Sequence, residues 1–377
     1  MIRFSKYYGN MYIFRKYSQN TYTKEKKMKI EKVRHLLEEK QLDAVVVLSP
    51  HNRRYLSGFT GSSAGLIISK ERNILVTDFR YIEQATKQAQ SFEIVKQKTS
   101  LLDMITEVIK ELELKTVGFE GNLVTYQEYM QLATGAELID VTGEIEKIRM
   151  IKEPFEIEQI QKAADIADAT FDYILKITKP GVTEMYLNNE MEMKMRALGA
   201  TSSSFETIVA SGIRGALPHG VASNKVIESG EMITFDYGAL YEGYISDITR
   251  TIAVGEPQDE MVKIYNIVLE SQLKALDEIK PGMTGVEADK IARDVIAGYG
   301  YGDAFGHSLG HGIGLEVHEN PMLSQRSPHT LEENMCVTLE PGIYVPGLGG
   351  VRIEDDVLVT KNGLKRFTHS TKDLIIL

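Results

Sequence analysis

Two copies of one pattern lie in the second half of this chain, and each ends in a pair of carboxylates. The first runs from Lys179-Pro180-Gly181-Val182-Thr183 to Thr234-Phe235-Asp236, with Asp247 following. The second runs from Lys280-Pro281-Gly282-Met283-Thr284 to Thr338-Leu339-Glu340, with Glu354 following. In both, a Lys-Pro-Gly-x-Thr turn opens a helical stretch, a His-Gly segment follows, and an apolar strand stops on an acid. A duplicated unit of this kind can fold about a pseudo-two-fold axis, which brings four carboxylates to one place. A lone buried carboxylate is costly, and several facing one another repel unless cations stand between them. The duplication therefore points to a cation-holding centre.

Composition narrows the setting. A chain of 377 residues is long enough for two domains with a large core. A net charge of -10 argues against a general nucleic-acid binder, which is normally basic. No stretch approaches the ~20 apolar residues of a membrane span. The single cysteine, Cys336, excludes an intrachain disulfide and fits a reducing compartment, so the expected location is cytoplasmic. It lies in the apolar run Met335-Cys336-Val337 and reads as a buried strand residue rather than a reactive thiol. Residues 1–27 are basic, poor in acids and lack the apolar run of a secretory signal. Met28-Lys29-Ile30-Glu31 reads as a natural start, and the leader is set aside as a disordered or misassigned segment.

The periodicity divides the rest in two. Over 28–147, helical spacing (Lys29–Lys40, Tyr81–Ala89, Leu101–Leu112, Thr125–Leu132) alternates with short apolar runs (Leu42–Leu48, Ala64–Ser69, Asn73–Thr77, Phe92–Val95, Thr116–Phe119, Glu137–Asp140). That alternation predicts an α/β domain with a largely parallel or mixed sheet. Gly58-Phe59-Thr60-Gly61 reads as a turn, and no phosphate loop follows any strand. A charged stretch at 142–154 marks the boundary. Over 148–377 the pattern predicts helices at Phe155–Ile177, Thr183–Leu198, Met261–Ile279 and Val286–Gly298. Strands are predicted at Phe205–Val209, Met232–Asp236, Tyr244–Thr251, Met335–Glu340 and Gly350–Val359. This half reads as α+β, with helices on one side of a curved antiparallel sheet.

His311 joins the four acids as a fifth candidate. It lies in Gly306-His307-Ser308-Leu309-Gly310-His311-Gly312-Ile313-Gly314, where glycines permit close backbone approach, and His318-Glu319 follows. The set Asp236, Asp247, His311, Glu340 and Glu354 resembles the dinuclear site of the pita-bread metallopeptidases. Pro218-His219-Gly220, His307 to Gly314, Glu340-Pro341-Gly342-Ile343-Tyr344 and Gly350-Val351-Arg352-Ile353-Glu354-Asp355 resemble its proline-specific branch, prolidase and aminopeptidase P. The resemblance covers residues 28–377. It implies a creatinase/prolidase-type N-terminal domain followed by a pita-bread catalytic domain with pseudo-two-fold symmetry. Creatinase shares that fold without the metal carboxylates, whereas all five ligand positions are filled here.

The resemblance further implies roles. Asp247 and Glu354 would bridge two metals, Asp236 would serve one, and His311 with Glu340 the other. An oxygen-rich site with one imidazole suits hard divalent ions, so Mn²⁺ is expected, with Co²⁺ or Zn²⁺ as alternatives. Paired ions would share and acidify a water and clamp the tetrahedral intermediate, with Glu340 as the base. His318 would steady the scissile carbonyl or the developing oxyanion. His219 and His307 would line the proline pocket and the substrate terminus. Arg352, on the strand face of Glu354, would orient a ligand carboxylate or a substrate carboxylate, and Tyr344 would support the site. His35, His51, His329 and His369 read as ordinary histidines. The implied activity is hydrolysis of the bond between an N-terminal residue and a following proline, in dipeptides or longer peptides, by a homodimer. An Xaa-Pro bond has no amide N–H, so peptidases that read that group cannot use it. A methionine aminopeptidase would lack the first domain, and a non-catalytic pita-bread binding module would not need the intact ligand set.

Overall fold

Helix α1 (residues 28–39) buries Ile30, Val33, Leu36 and Leu37, the apolar stripe that its spacing predicts, and leads into strand β1 (Ala44–Val47). β1 is buried along its whole length, as a β-branched run in the middle of a sheet must be. The chain then forms α2 (Pro50–Ser57), β2 (Ala64–Ser69), β3 (Asn73–Thr77), α3 (Ile82–Gln88), β4 (Glu93–Lys96) and α4 (Leu101–Glu111). Strand β5 (Thr116–Phe119), α5 (Tyr126–Leu132), β6 (Glu137–Asp140) and α6 (Glu144–Met150) complete this part. These observations come from a computed structural model that describes residues 28–377; the reading of residues 1–27 lies outside the described residues.

The chain divides into two compact units, the first ending at Arg149 and the second beginning at Met150. In the first, the strands are ordered β4-β3-β2-β1-β5-β6. β1 pairs antiparallel with β2 and parallel with β5, so the sheet is mixed. The sequence reading missed α2 because Asn52 and Arg53 are polar at buried positions. Asn52 Nδ2 donates to Glu120 Oε1 at 2.7 Å, and Arg53 donates to Ala64 O at 2.7 Å and Gly61 O at 2.9 Å. The helix start is nonetheless ordinary: Ser49 Oγ accepts from Asn52 N, and Pro50 takes the first turn. Gly58, read as part of a turn, closes α2 at φ 77°.

The second unit repeats one arrangement. Helices α7 (Pro154–Ile174) and α8 (Glu184–Ala197) flank the first Lys-Pro-Gly-x-Thr turn, and α9 (Asp259–Glu278) and α10 (Gly285–Gly298) flank the second. Gly181 and Gly282 both stand at φ 92°. Thr183 and Thr284 both cap the following helix with their hydroxyls. Gly181 N donates to Ile227 O at 2.9 Å and Gly282 N to Leu331 O at 2.8 Å, so the two turns also dock alike.

Between the helix pairs lie β7 (Ser202–Ser203), β8 (Ile208–Ser211), β9 (Glu231–Tyr237), β10 (Ala239–Tyr241), β11 (Tyr244–Ile245) and β12 (Ile248–Val254). After α10 come β13 (Gly310–Gly312), β14 (Glu319–Leu323), β15 (Cys336–Leu339), β16 (Gly342–Val345), β17 (Gly349–Arg352), β18 (Asp355–Thr360) and β19 (Gly363–Arg366). They form four ladders: β11-β10-β7, β12-β9-β8, β14-β13-β15-β18-β19 and β16-β17. Three strand expectations change. Tyr244–Thr251 is two strands, broken at Ser246-Asp247, and Gly350–Val359 is two, broken at Ile353-Glu354. The strand expected at Phe205–Val209 begins at Ile208 and runs to Ser211.

Candidate metal centre

The strand breaks are where the acids stand. Asp247 occupies the gap between β11 and β12, Glu340 the gap between β15 and β16, and Glu354 the gap between β17 and β18. Each sits where the chain leaves one ladder for another. Asp236 alone lies within a strand, on β9, paired with Thr249. Backbone bonds stitch these corners together: Glu354 N donates to Thr249 O at 3.1 Å and Glu340 N to Leu309 O at 2.7 Å. Close approach is built in by glycine. A Cβ on Gly238 would fall 1.7 Å from Ser246 O, and one on Gly310 would fall 2.0 Å from Thr338 O.

His311 on β13 completes the cluster. Its Nε2 is 3.3 Å from Glu340 Oε1 and 3.7 Å from Asp247 Oδ2. Its Nδ1 lies 3.1 Å from Gly312 O, so the tautomer that donates there turns a lone pair at Nε2 toward the acids. Asp247, His311 and Glu354 each offer one ligand atom, and these atoms lie within 4.8 Å of one another. Asp236 Oδ1 and Asp247 Oδ1 are buried without a hydrogen-bond partner. Burial, then the charges of the neighbouring carboxylates, pushes Asp247 and Glu354 well above the usual carboxylate range. Buried oxygens left open in a cluster that resists ionisation are what a cation site needs, so these residues fit divalent metals.

The remaining oxygens are oriented by neighbours. Thr249 Oγ1 donates to Glu354 Oε2 at 2.6 Å. Arg352 donates to Asp236 Oδ2, to Thr249 Oγ1 at 3.1 Å and to Tyr344 Oη at 2.7 Å. Tyr344 Oη also meets His307 Nε2 at 2.8 Å, so His307, Tyr344, Arg352 and Asp236 form one chain of contacts. The strand break lies between Arg352 and Glu354, so a shared strand face is not what brings them together; both line the same pocket.

That pocket, about 560 Å³, holds all five candidate ligands together with His219, His307, His318 and Arg352. The His318 ring stands 4.4 Å from the His311 ring. His307 is half-buried, and His219 and His318 are exposed. Sequence reasoning missed Asp356 and Asp289. Asp356 Oδ2 accepts from Asp247 N at 2.8 Å. Asp289 accepts from Leu309 N at 3.0 Å and pairs with Arg293, which donates to His307 O at 2.7 Å. The sequence carries a signal for Asp356: Glu354-Asp355-Asp356 is an acid triplet inside an apolar run, too costly to bury without a purpose.

Known proteins place this arrangement. Residues 158–361 match the model of metallopeptidase family M24, and residues 29–151 match the creatinase/prolidase N-terminal domain. A Xaa-Pro dipeptidase from Pyrococcus furiosus is 43% identical over 93% of this chain and its own full length. The structure of a Xaa-Pro dipeptidase from Bacillus anthracis is 52% identical, with TM-score 0.92 over 93% of this chain and all of its own. That of an X-Pro aminopeptidase from Thermotoga maritima is 39% identical, with TM-score 0.86 over 92% of this chain and 99% of its own. The four acids and His311 all lie in the matched region, and the chain belongs to metallopeptidase family M24.

Proposed function

We propose that this protein is a metal-dependent Xaa-Pro peptidase that hydrolyses the bond between an N-terminal residue and a following proline. The observation that carries the reading is the single pocket that joins the acid-and-histidine cluster to His219, His307, His318 and Arg352. The relatives named Xaa-Pro dipeptidase and X-Pro aminopeptidase support it. Asp236, Asp247, His311, Glu340 and Glu354 are the proposed ligands of two divalent cations. When bound, such a pair supplies Lewis acidity and an acidified water. Mn²⁺ is the proposed metal because the donors are mostly hard oxygens.

Glu340 takes the proton of the attacking water and returns it to the proline nitrogen, which leaves only when protonated. Its Oε1 faces His311 and its Oε2 faces His307 at 3.9 Å, so it stands at the junction of ligands and pocket. His318 donates to the scissile carbonyl oxygen as charge develops there. His219 and His307 shape the pocket for the ring. Arg352 holds Asp236 in place, with Tyr344 linking it to His307.

The same proposal includes a homodimer and a cytoplasmic location. Among the described residues no helix is long and apolar enough to cross a membrane. Light scattering that shows a monomer alone would remove the dimer. The activity is tested by mass spectrometry on Ala-Pro, Ala-Pro-Ala and Met-Ala-Ser with Mn²⁺, with and without chelator. The reading requires chelator-sensitive cleavage of an Xaa-Pro peptide, and which of the two is cut separates a dipeptidase from an aminopeptidase P. Cleavage of Met-Ala-Ser alone would make the protein a methionine aminopeptidase instead.

A further inference from the structure

One wall of the pocket is made by Pro218, His219 and Val221. They belong to a segment after β8 whose regular structure is a short 3-10 turn at Gly212–Ala216. Ile213, Leu217 and Val221 on this segment are 63%, 53% and 39% exposed, so burial of apolar side chains does not hold it. Backbone contacts hold it in part, among them the Ile208–Val221 bridge and Met185 N to Ser223 O at 2.9 Å, and one carboxylate ties side chains and backbone on both of its flanks. Glu184, the first residue of α8 after the duplicated turn, is fully buried. Its Oε1 accepts from Ser211 N and Ser211 Oγ, both at 2.8 Å. Its Oε2 accepts from Arg214 Nη1 at 2.6 Å, Ser223 N at 3.1 Å and Ser223 Oγ at 2.6 Å. Ser211 and Arg214 precede His219, and Ser223 follows it. Arg214 also crosses the segment to Val221 O at 2.8 Å.

Stability alone is a poor account of this arrangement, since apolar replacements of buried ion pairs are often as stable or more so. Converging donors on both flanks of a loop specify its position. We propose that Glu184 is a positioning residue for substrate recognition: through Ser211, Arg214 and Ser223 it sets where His219 stands over the pocket. The inference rests on the Xaa-Pro peptidase reading, in which His219 meets the substrate. The second repeat has no such device at the matching place, because Gly285 follows Thr284 there. Its pocket histidine, His307, is held instead by Arg293 and Asp289, so the two walls are fastened independently.

Glu184→Gln keeps the shape and turns an amide donor toward groups that already donate. With the Xaa-Pro peptide that the wild type cleaves, KM is expected to rise about 10-fold while kcat stays within about 2-fold, and the Mn²⁺ stoichiometry is unchanged. In a His219→Ala background the same substitution is expected to add less than about 2-fold to KM, because residues that act through one another are not additive. Should Glu184→Gln fail to fold, Ser223→Ala removes the 2.6 Å donor, leaves the charge paired with Arg214, and is expected to show the same pattern at smaller size. Loss of kcat or metal with KM unchanged, or a KM effect undiminished in the His219→Ala background, would overturn the inference while the activity itself stands. Absence of Xaa-Pro cleavage by the wild type would remove the underlying reading as well.

Discussion

Asp236 and Asp247 each bury one carboxylate oxygen with nothing bonded to it, and their other oxygens are committed to or face named neighbours. That division of labour, one atom held and one left open, is how a protein prepares a ligand before the ion arrives. Glu340 differs in facing both His311 and His307, and its proposed role in proton transfer gives a first prediction. Glu340→Gln should lower kcat by about 10²–10⁴-fold, the usual contribution of a general base, in steady-state assays at saturating Mn²⁺. Asp356 touches no substrate. It fixes the backbone of Asp247, so Asp356→Ala should weaken metal affinity by about 10–100-fold in a calorimetric titration. These acids were legible in the sequence because they were doubled, and doubling is what no ordinary salt-bridged carboxylate explains. For Asp356 the sequence offers only its place in an acid triplet; what it does is hidden there, because its partner is a backbone N–H that only the fold brings near.

At the scale of elements, the repeated Lys-Pro-Gly-x-Thr turns were readable, and both glycines adopt the positive φ that the residue after proline takes in a Pro-Gly turn. The breaks that carry Asp247 and Glu354 were not readable. Ser246-Asp247 and Ile353-Glu354 contain neither glycine nor proline, and β-formers flank them, so local preference favours one continuous strand. Tertiary pairing overrides it, as each half of the run joins a different ladder. Helix α2 was hidden for the opposite reason: beside Tyr55 and Leu56 it buries Asn52, Arg53 and Ser57, with Asn52 and Arg53 satisfied by Glu120 and by backbone carbonyls, so no apolar period marks it. Its Ser49-Pro50 start was the available clue. The corner at Asp247 depends on Gly238, whose added Cβ would collide with Ser246 O. Gly238→Ala should therefore cost about 1–3 kcal/mol in denaturant unfolding and impair metal binding as well, since backbone overpacking shifts the neighbouring chain.

Over the whole molecule, the duplication in the second unit places two similar halves around acids that neither half could bury alone. Cations that bind only the folded form stabilise it by mass action, about 2.7 kcal/mol at a free concentration 100-fold above Kd. Chelation should accordingly lower Tm, and added Mn²⁺ should restore it, a shift that calorimetry can follow. A protein without a metal centre would melt at one temperature throughout.

Turnover is proposed to need cations held by these five residues. That requirement is tested most directly by adding Mn²⁺ stepwise to stripped protein while Ala-Pro and Ala-Pro-Ala cleavage is followed in the same samples. Cleavage should be absent without metal and level off at two equivalents, and Glu354→Ala should abolish both binding and turnover. Xaa-Pro cleavage by metal-free protein, or full activity in Glu354→Ala, would contradict the account.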